Sequence, residues 1–195
     1  GEYDKCYITG EAAVYKDLQE VTSKDFRNVT ILSVILIGTI IALTFKSVLL
    51  PIILIFIIQL GIWINLSIPY VQGKSLNFIS FIIIGAIQLG ATVDYAILFT
   101  SRYRENLSEL PKSEAAVKTI EDTGASIFTS ALILFAGTLS VYLITSITSA
   151  AELTLLIGRG AIISFILVLI VLPALLMILD RPIGLTTYKW PKNER

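Results

Sequence analysis

The stretch Ile87–Asn106, IQLGATVDYAILFTSRYREN, buries one acid in an apolar run and ends it on a basic cluster. Extended back to Leu76, the run reaches Ser101 with Asp94 as its single charged residue, and Arg102 and Arg104 follow at once. A helix crossing about 30 Å of hydrocarbon needs roughly 17–25 mostly apolar residues, and this run is long enough. The reading is a membrane helix over about 76–101 with a carboxylate near its centre.

Four similar blocks flank it, at about 29–45, 47–68, 123–146 and 153–179, and each is long enough to cross. The whole chain agrees: 55% of its 195 residues are hydrophobic and only 15% charged, at a mean hydropathy of +0.81. That composition excludes an ordinary water-soluble domain and a disordered tail. Fifteen basic residues balance fifteen acidic ones, so no cationic excess exists to hold nucleic acid. One cysteine and no histidine remove the usual zinc sites and every Ser-His or Cys-His catalytic arrangement. An intramembrane enzyme would need a nucleophile beside a base, and neither a histidine nor a paired aspartate is present at membrane depth, so the expectation is not an enzyme. Pro51 falls in the first turn of the second block, where a missing N–H is harmless, while Pro69 and Gly73 mark its end. Pro173 lies inside the fifth block and predicts a kink.

Lys46, then Arg102, Arg104, Lys112 and Lys118, then Arg181, Lys189, Lys192 and Arg195 all fall on one side of the five crossings; among the loops on the other side, only Lys74 is basic. The excess of Lys and Arg assigns that side, with the tail at 182–195, to the cytoplasm, and residues 1–27 to the outside. Residues 1–27 are polar and net acidic, and the segment YITGEAAVYKDLQEVTSKDF (7–26) reads as a short strand, a turn at Gly10 and a helix, the end of an extracellular domain whose remainder is missing. Between the third and fourth crossings, the Ala116, Val117 and Ile120 stripe predicts a short helix at about 113–122 lying along the cytoplasmic surface. Tyr188 and Trp190 read as interface anchors.

Asp94 carries the chemistry. Arg102 is eight residues away, so Asp94 lies ~12 Å from the basic edge of the helix. An ionised side chain at that depth costs about 2.5–3.5 kcal/mol, which partners, water or a proton must offset. Burial disfavours the charged form of a carboxyl group and a nearby cation or water restores it, so a site alternately wet and dry can load and release protons. The residues one and two turns earlier, Ala86, Gly90 and Ala91, are small and admit another helix against the Asp94 face. Tyr95 is turned about 100° from Asp94, so the two side chains of the pair need partners from elsewhere. The fourth helix offers Thr129, Ser130, Thr138 and Ser140. The intramembrane cation is Arg159, which with Glu152, Thr129 and Ser130 forms a candidate secondary polar site; snorkelling of Arg159 to the outer interface is the alternative. Gln59, Asn65 and Gln88 read as packing residues that hydrogen-bond between helices.

GATVDYAILFTSRYREN (90–106), on a helix that exits into the cytoplasm, resembles the signature of the MMPL family in the resistance-nodulation-division (RND) superfamily. LIGRGAIISFILVLIVLPALLMILD (156–180) is similar to the last helix of such a half-transporter, and YITGEAA (7–13) to the segment closing the family's extracellular domain. The resemblance implies an all-α integral membrane protein. Its five-helix bundle, residues 28–181, would be half of a twelve-helix transporter, with a short extracellular α/β remnant, and would look more like the second half than the first. It further implies that Asp94 and Tyr95 face a like pair in the other half and relay protons, whose inward flow drives export of lipids or other hydrophobic substrates from a bacterial cell. The coupling ion is then H⁺, with no other cofactor, and the partners are membrane lipids, the other half and the hydrophobic substrate. The alternative is a lipid-binding module like a sterol-sensing domain, which has a similar five-helix block and does not pump.

Overall fold

The structure, a computed structural model, describes residues 11–73, 78–188, 190 and 191. Over these it is helical, with α1 (Glu11–Phe45), α2 (Leu49–Val71), α3 (Phe78–Asn106), α4 (Lys112–Ile144), α5 (Thr148–Ile166), α6 (Leu172–Ile178) and α7 (Asp180–Thr186). A π-helical turn, Leu167–Val171, joins α5 to α6. Five segments are long and apolar enough to cross a bilayer: Arg27–Phe45, Leu49–Val71, Ile83–Asn106, Lys112–Ile144 and Thr148–Ile178. No strand occurs among the described residues, and the one expected near residues 7–9 lies outside them.

Several boundaries differ from the sequence reading. The outer helix and the first crossing are one rod: neither glycine nor proline interrupts residues 11–37, so α1 runs for 35 residues without a break at 27. α2 continues through Pro69 to Val71, and Gly73, at φ 65°, turns the chain where a side chain would be strained. The separate surface helix at 113–122 is instead the first part of α4, a 33-residue helix ~50 Å long. Its buried stripe is Ala115, Ala116, Thr119 and Thr123, whereas Val117 and Ile120 are exposed. The Thr119 and Thr123 hydroxyls donate to the Ala115 and Thr119 carbonyls, which lets polar residues sit on the buried face. This stripe packs on the end of α3, where Asn106 Nδ2 reaches Thr119 Oγ1 at 3.0 Å, so the segment stands up against its neighbour instead of lying flat.

The irregularity predicted at Pro173 takes the form of the π turn. Pro173 has no N–H for the Leu169 carbonyl, and the helix widens by one residue per turn just before it.

α3 touches α1, α2, α4 and α5, and α4 lies along α5. At Gly158 the α5 backbone comes so close to Thr138 and Phe135 of α4 that a Cβ would collide with the threonine hydroxyl. The larger core gathers at the basic end: Ile41, Phe45, Leu50 and Leu54 of the α1–α2 hairpin close on Phe99 and Tyr103 of α3 and Leu172 and Leu176 of α6. Leu32, Leu36, Leu43, Ile133 and Leu143 stay exposed, as residues with lipid for solvent do. α7 folds back over this end. The residues just after it pair with the α1–α2 connection, where Tyr188 N donates to the Lys46 carbonyl at 3.0 Å and Thr187 Oγ1 to Ser47 Oγ at 2.7 Å. Trp190 is no interface anchor: it is buried, and its indole N–H donates to Asp180 Oδ1 at 2.8 Å, while Lys112 Nζ lies 2.7 Å from Asp180 Oδ2.

Candidate functional site

Because α3 already packs on four neighbours, one stripe of it is left uncovered. Ala86, Gly90 and Asp94 lie on that stripe and are exposed, with Ala91 half-buried beside them. A Cβ placed on Gly90 would meet nothing within 4 Å. The small residues therefore do not admit a helix of this chain, as an inward-facing Asp94 would require; they border an open face. Among the described residues no hydrogen bond or ion pair reaches Asp94. Tyr95, one step round the helix, is 8% exposed and belongs to the core with Phe99 and Tyr103. The pair is split between an open surface and a packed interior.

The Asp94 stripe leads to a groove between α3 and α4. Its volume is about 350 Å³, and Leu98, Ser101, Arg102 and Glu105 face Asp122 and Ser126 across it. Arg102 Nη1 lies 2.6 Å from Glu105 Oε2 and its Nε 3.3 Å from Asp122 Oδ2, and Lys118 Nζ is 3.4 Å from Asp122 Oδ1. The Arg102–Asp122 contact fixes the antiparallel register of the two helices. Eight residues back along α3 and eight forward along α4, ~12 Å in each case, reach Asp94 and Ser130. Ser130 is exposed, whereas the Thr129 hydroxyl is committed to the Ala125 carbonyl at 2.8 Å. Thr138 and Ser140 likewise bond back to their own helix.

Arg159 stands apart from Thr129, Ser130 and Glu152. Its Nε donates to Asn65 Oδ1 at 2.8 Å and its Nη2 to the Asn65 carbonyl at 2.9 Å, so it is clamped to α2 and does not snorkel. Asn65 Nδ2 in turn donates to Gln88 Oε1 at 2.9 Å and to the Leu156 carbonyl at 2.8 Å. The polar cluster around Arg159 thus consists of Asn65 and Gln88, which hydrogen-bond between helices as their reading from the sequence has it. Their spacing along the chain held no signal that they meet.

The MMPL family model matches residues 2–195. The chain belongs to the MMPL family. Among the relatives of this MMPL chain is ActII-3, a membrane protein of Streptomyces coelicolor, 28% identical over 181 residues that make up 90% of this chain and 25% of the relative. The siderophore exporter MmpL5 of Mycobacterium tuberculosis is 25% identical over 167 residues, 83% of this chain and 17% of that protein. The hopanoid transporter HpnN of Rhodopseudomonas palustris is 34% identical over 132 residues, 65% of this chain and 15% of that protein. The chain spans a quarter or less of the length of these relatives. It is a multi-pass membrane protein with bacterial relatives.

Proposed function

We propose that this MMPL chain is the five-helix membrane part of one half of an exporter that moves lipids or other hydrophobic molecules out of a bacterial cell, driven by inward proton flow. The observation that carries this reading is the uncovered Asp94 stripe: a carboxylate at mid-span, on a face cleared by Ala86 and Gly90, with no partner among the described residues. An ionisable group at that depth is costly in lipid, so its face calls for a cover. The second half of the transporter is that cover, and it brings a carboxyl and phenol pair opposite Asp94, while Tyr95 backs the same helix from this chain's own core. Protonation of Asp94 then removes a charge from the junction and favours a different packing of the two halves, which couples proton passage to substrate movement.

Ser130 lies level with Asp94 on α4, and the groove below it, lined by Ser101, Ser126, Arg102 and Asp122, supplies a polar route towards the basic end. That end faces the cytoplasm, where Lys46, Arg102, Arg104, Lys112 and Lys118 gather, and the outward part of α1 projects on the opposite side. The hydrophobic cargo is consistent with the siderophore exporter and the hopanoid transporter among its relatives.

The test is export by the whole transporter in proteoliposomes under an imposed proton gradient. Asp94→Asn keeps the shape and removes the titrating group, so gradient-driven export drops to the rate of empty vesicles while insertion is unchanged. Export at the unmodified rate would end the proton-relay assignment.

A further inference from the structure

The cluster around Arg159 is a second charged site at membrane depth, and proton relay does not use it. Its logic begins in α2. Pro69 has no N–H, so the Asn65 carbonyl four residues earlier lacks the donor that a regular helix supplies. Arg159 Nη2 donates to that carbonyl, at 2.9 Å, and Nε donates to the side-chain oxygen of the same residue, at 2.8 Å. A guanidinium fits because its N–H groups are held in a fixed fork, where an ammonium is a point charge. The Asn65 amide passes the link on to Gln88 of α3, and Gln88 Nε2 lies 3.5 Å from Ser164 Oγ of α5. Asn65, Gln88 and Ser164 are all buried. The helices meet here at Gly160, where a Cβ would stand 2.7 Å from Gln88 Oε1 and 2.8 Å from Asn65 Nδ2.

We propose that Arg159 is a positioning residue for Asp94: it stands in for the donor that Pro69 lacks, ties α5 to α2, and through Asn65 and Gln88 fixes the height and rotation of α3. Gln88 precedes Asp94 by six residues, ~9 Å along one continuous helix. A turn or slide of α3 at Gln88 therefore reaches Asp94 undiminished and changes how the carboxylate meets its cover. The inference rests on the relay reading for its consequence, but not for its geometry.

The experiment compares Arg159→Leu, Arg159→Lys, Pro69→Ala and the double variant Pro69→Ala/Arg159→Leu in the whole reconstituted transporter, reading thermal unfolding and the pH dependence of proton-driven export. Arg159→Leu lowers the Tm and moves the pH midpoint of export, and Arg159→Lys does both to a lesser degree. The Tm loss caused by Arg159→Leu shrinks in the Pro69→Ala background, because the restored N–H at position 69 satisfies the Asn65 carbonyl. Additive Tm losses in the double variant overturn the stand-in role. A lowered Tm with an unmoved pH midpoint overturns the link to Asp94. Should Arg159→Leu fail to accumulate, Arg159→Lys in the two backgrounds gives the same comparison. If Asp94→Asn leaves export intact, the relay reading falls while the coupling of Pro69 to Arg159 in Tm stands, which keeps the two failures apart.

Discussion

Asp94 and Arg159 are both charged residues inside apolar helices, and the fold treats them in opposite ways. Arg159 is held by two hydrogen bonds to one residue of α2, in a cluster closed by Gln88 and by the bare backbone of Gly160. Asp94 has no partner among the described residues, and its neighbours Ala86 and Gly90 leave room beside it. A charge tied to a neighbouring helix by hydrogen bonds is held in place, whereas a charge left open can change state when something else arrives. The first arrangement suits a joint, the second a moving part.

The contrast is broken most severely by taking away the joint's acceptor. Asn65→Leu leaves the guanidinium with one acceptor fewer and Gln88 without its donor, and hydrogen bonds to charged groups contribute about 1.5–3 kcal/mol each. The expected outcome is a loss of about 3 kcal/mol in the unfolding free energy, read by denaturant titration in detergent. A wild-type midpoint would mean that Arg159 is solvated rather than clamped.

Two glycine substitutions sharpen the comparison. Gly160→Ala forces a methyl group against the Gln88 and Asn65 amides, and overpacking of that kind costs about 1–3 kcal/mol. The same change at Gly90 meets nothing within 4 Å, so the stability of the five-helix block should stay within about 0.5 kcal/mol. Export should nonetheless fall for Gly90→Ala, because the methyl group would occupy the face on which the proposed second half packs. Equal stability losses at the two glycines would show that the Asp94 stripe is already filled.

Much of the fold was legible because hydropathy is a local sum. Five runs, each long enough to cross hydrocarbon, are visible without knowing what any of them touches, and the depth of Asp94 follows from counting residues to Arg102. The limits of legibility appear at particular residues. Ala116, Val117 and Ile120 suggested a helix lying on the surface, yet the face that α4 buries is Ala115, Ala116, Thr119 and Thr123. A threonine that bonds back to its own helix is apolar in effect, and only a neighbour such as the end of α3 reveals it. Trp190 was read as an interface residue because nothing in the sequence shows that Asp180, at the start of α7, accepts from its indole once the chain returns over the bundle.

For the candidate site, Asp94 and Tyr95 could be singled out in advance because an acid in an apolar run is conspicuous by itself. The division between them, one exposed and one buried, could not. Arg159 was visible as a charge, but its holder is 94 residues away along the chain.

The sequence by itself determined the number of crossings, the side on which basic residues gather, and the presence of a lone carboxylate at mid-span, since each depends on composition along a single helix. Which face of α3 stays open, and which cation is locked, were decided only by tertiary structure. Those facts depend on how neighbouring helices divide the space around α3, and on a carbonyl left bare by Pro69 that a residue from another helix satisfies.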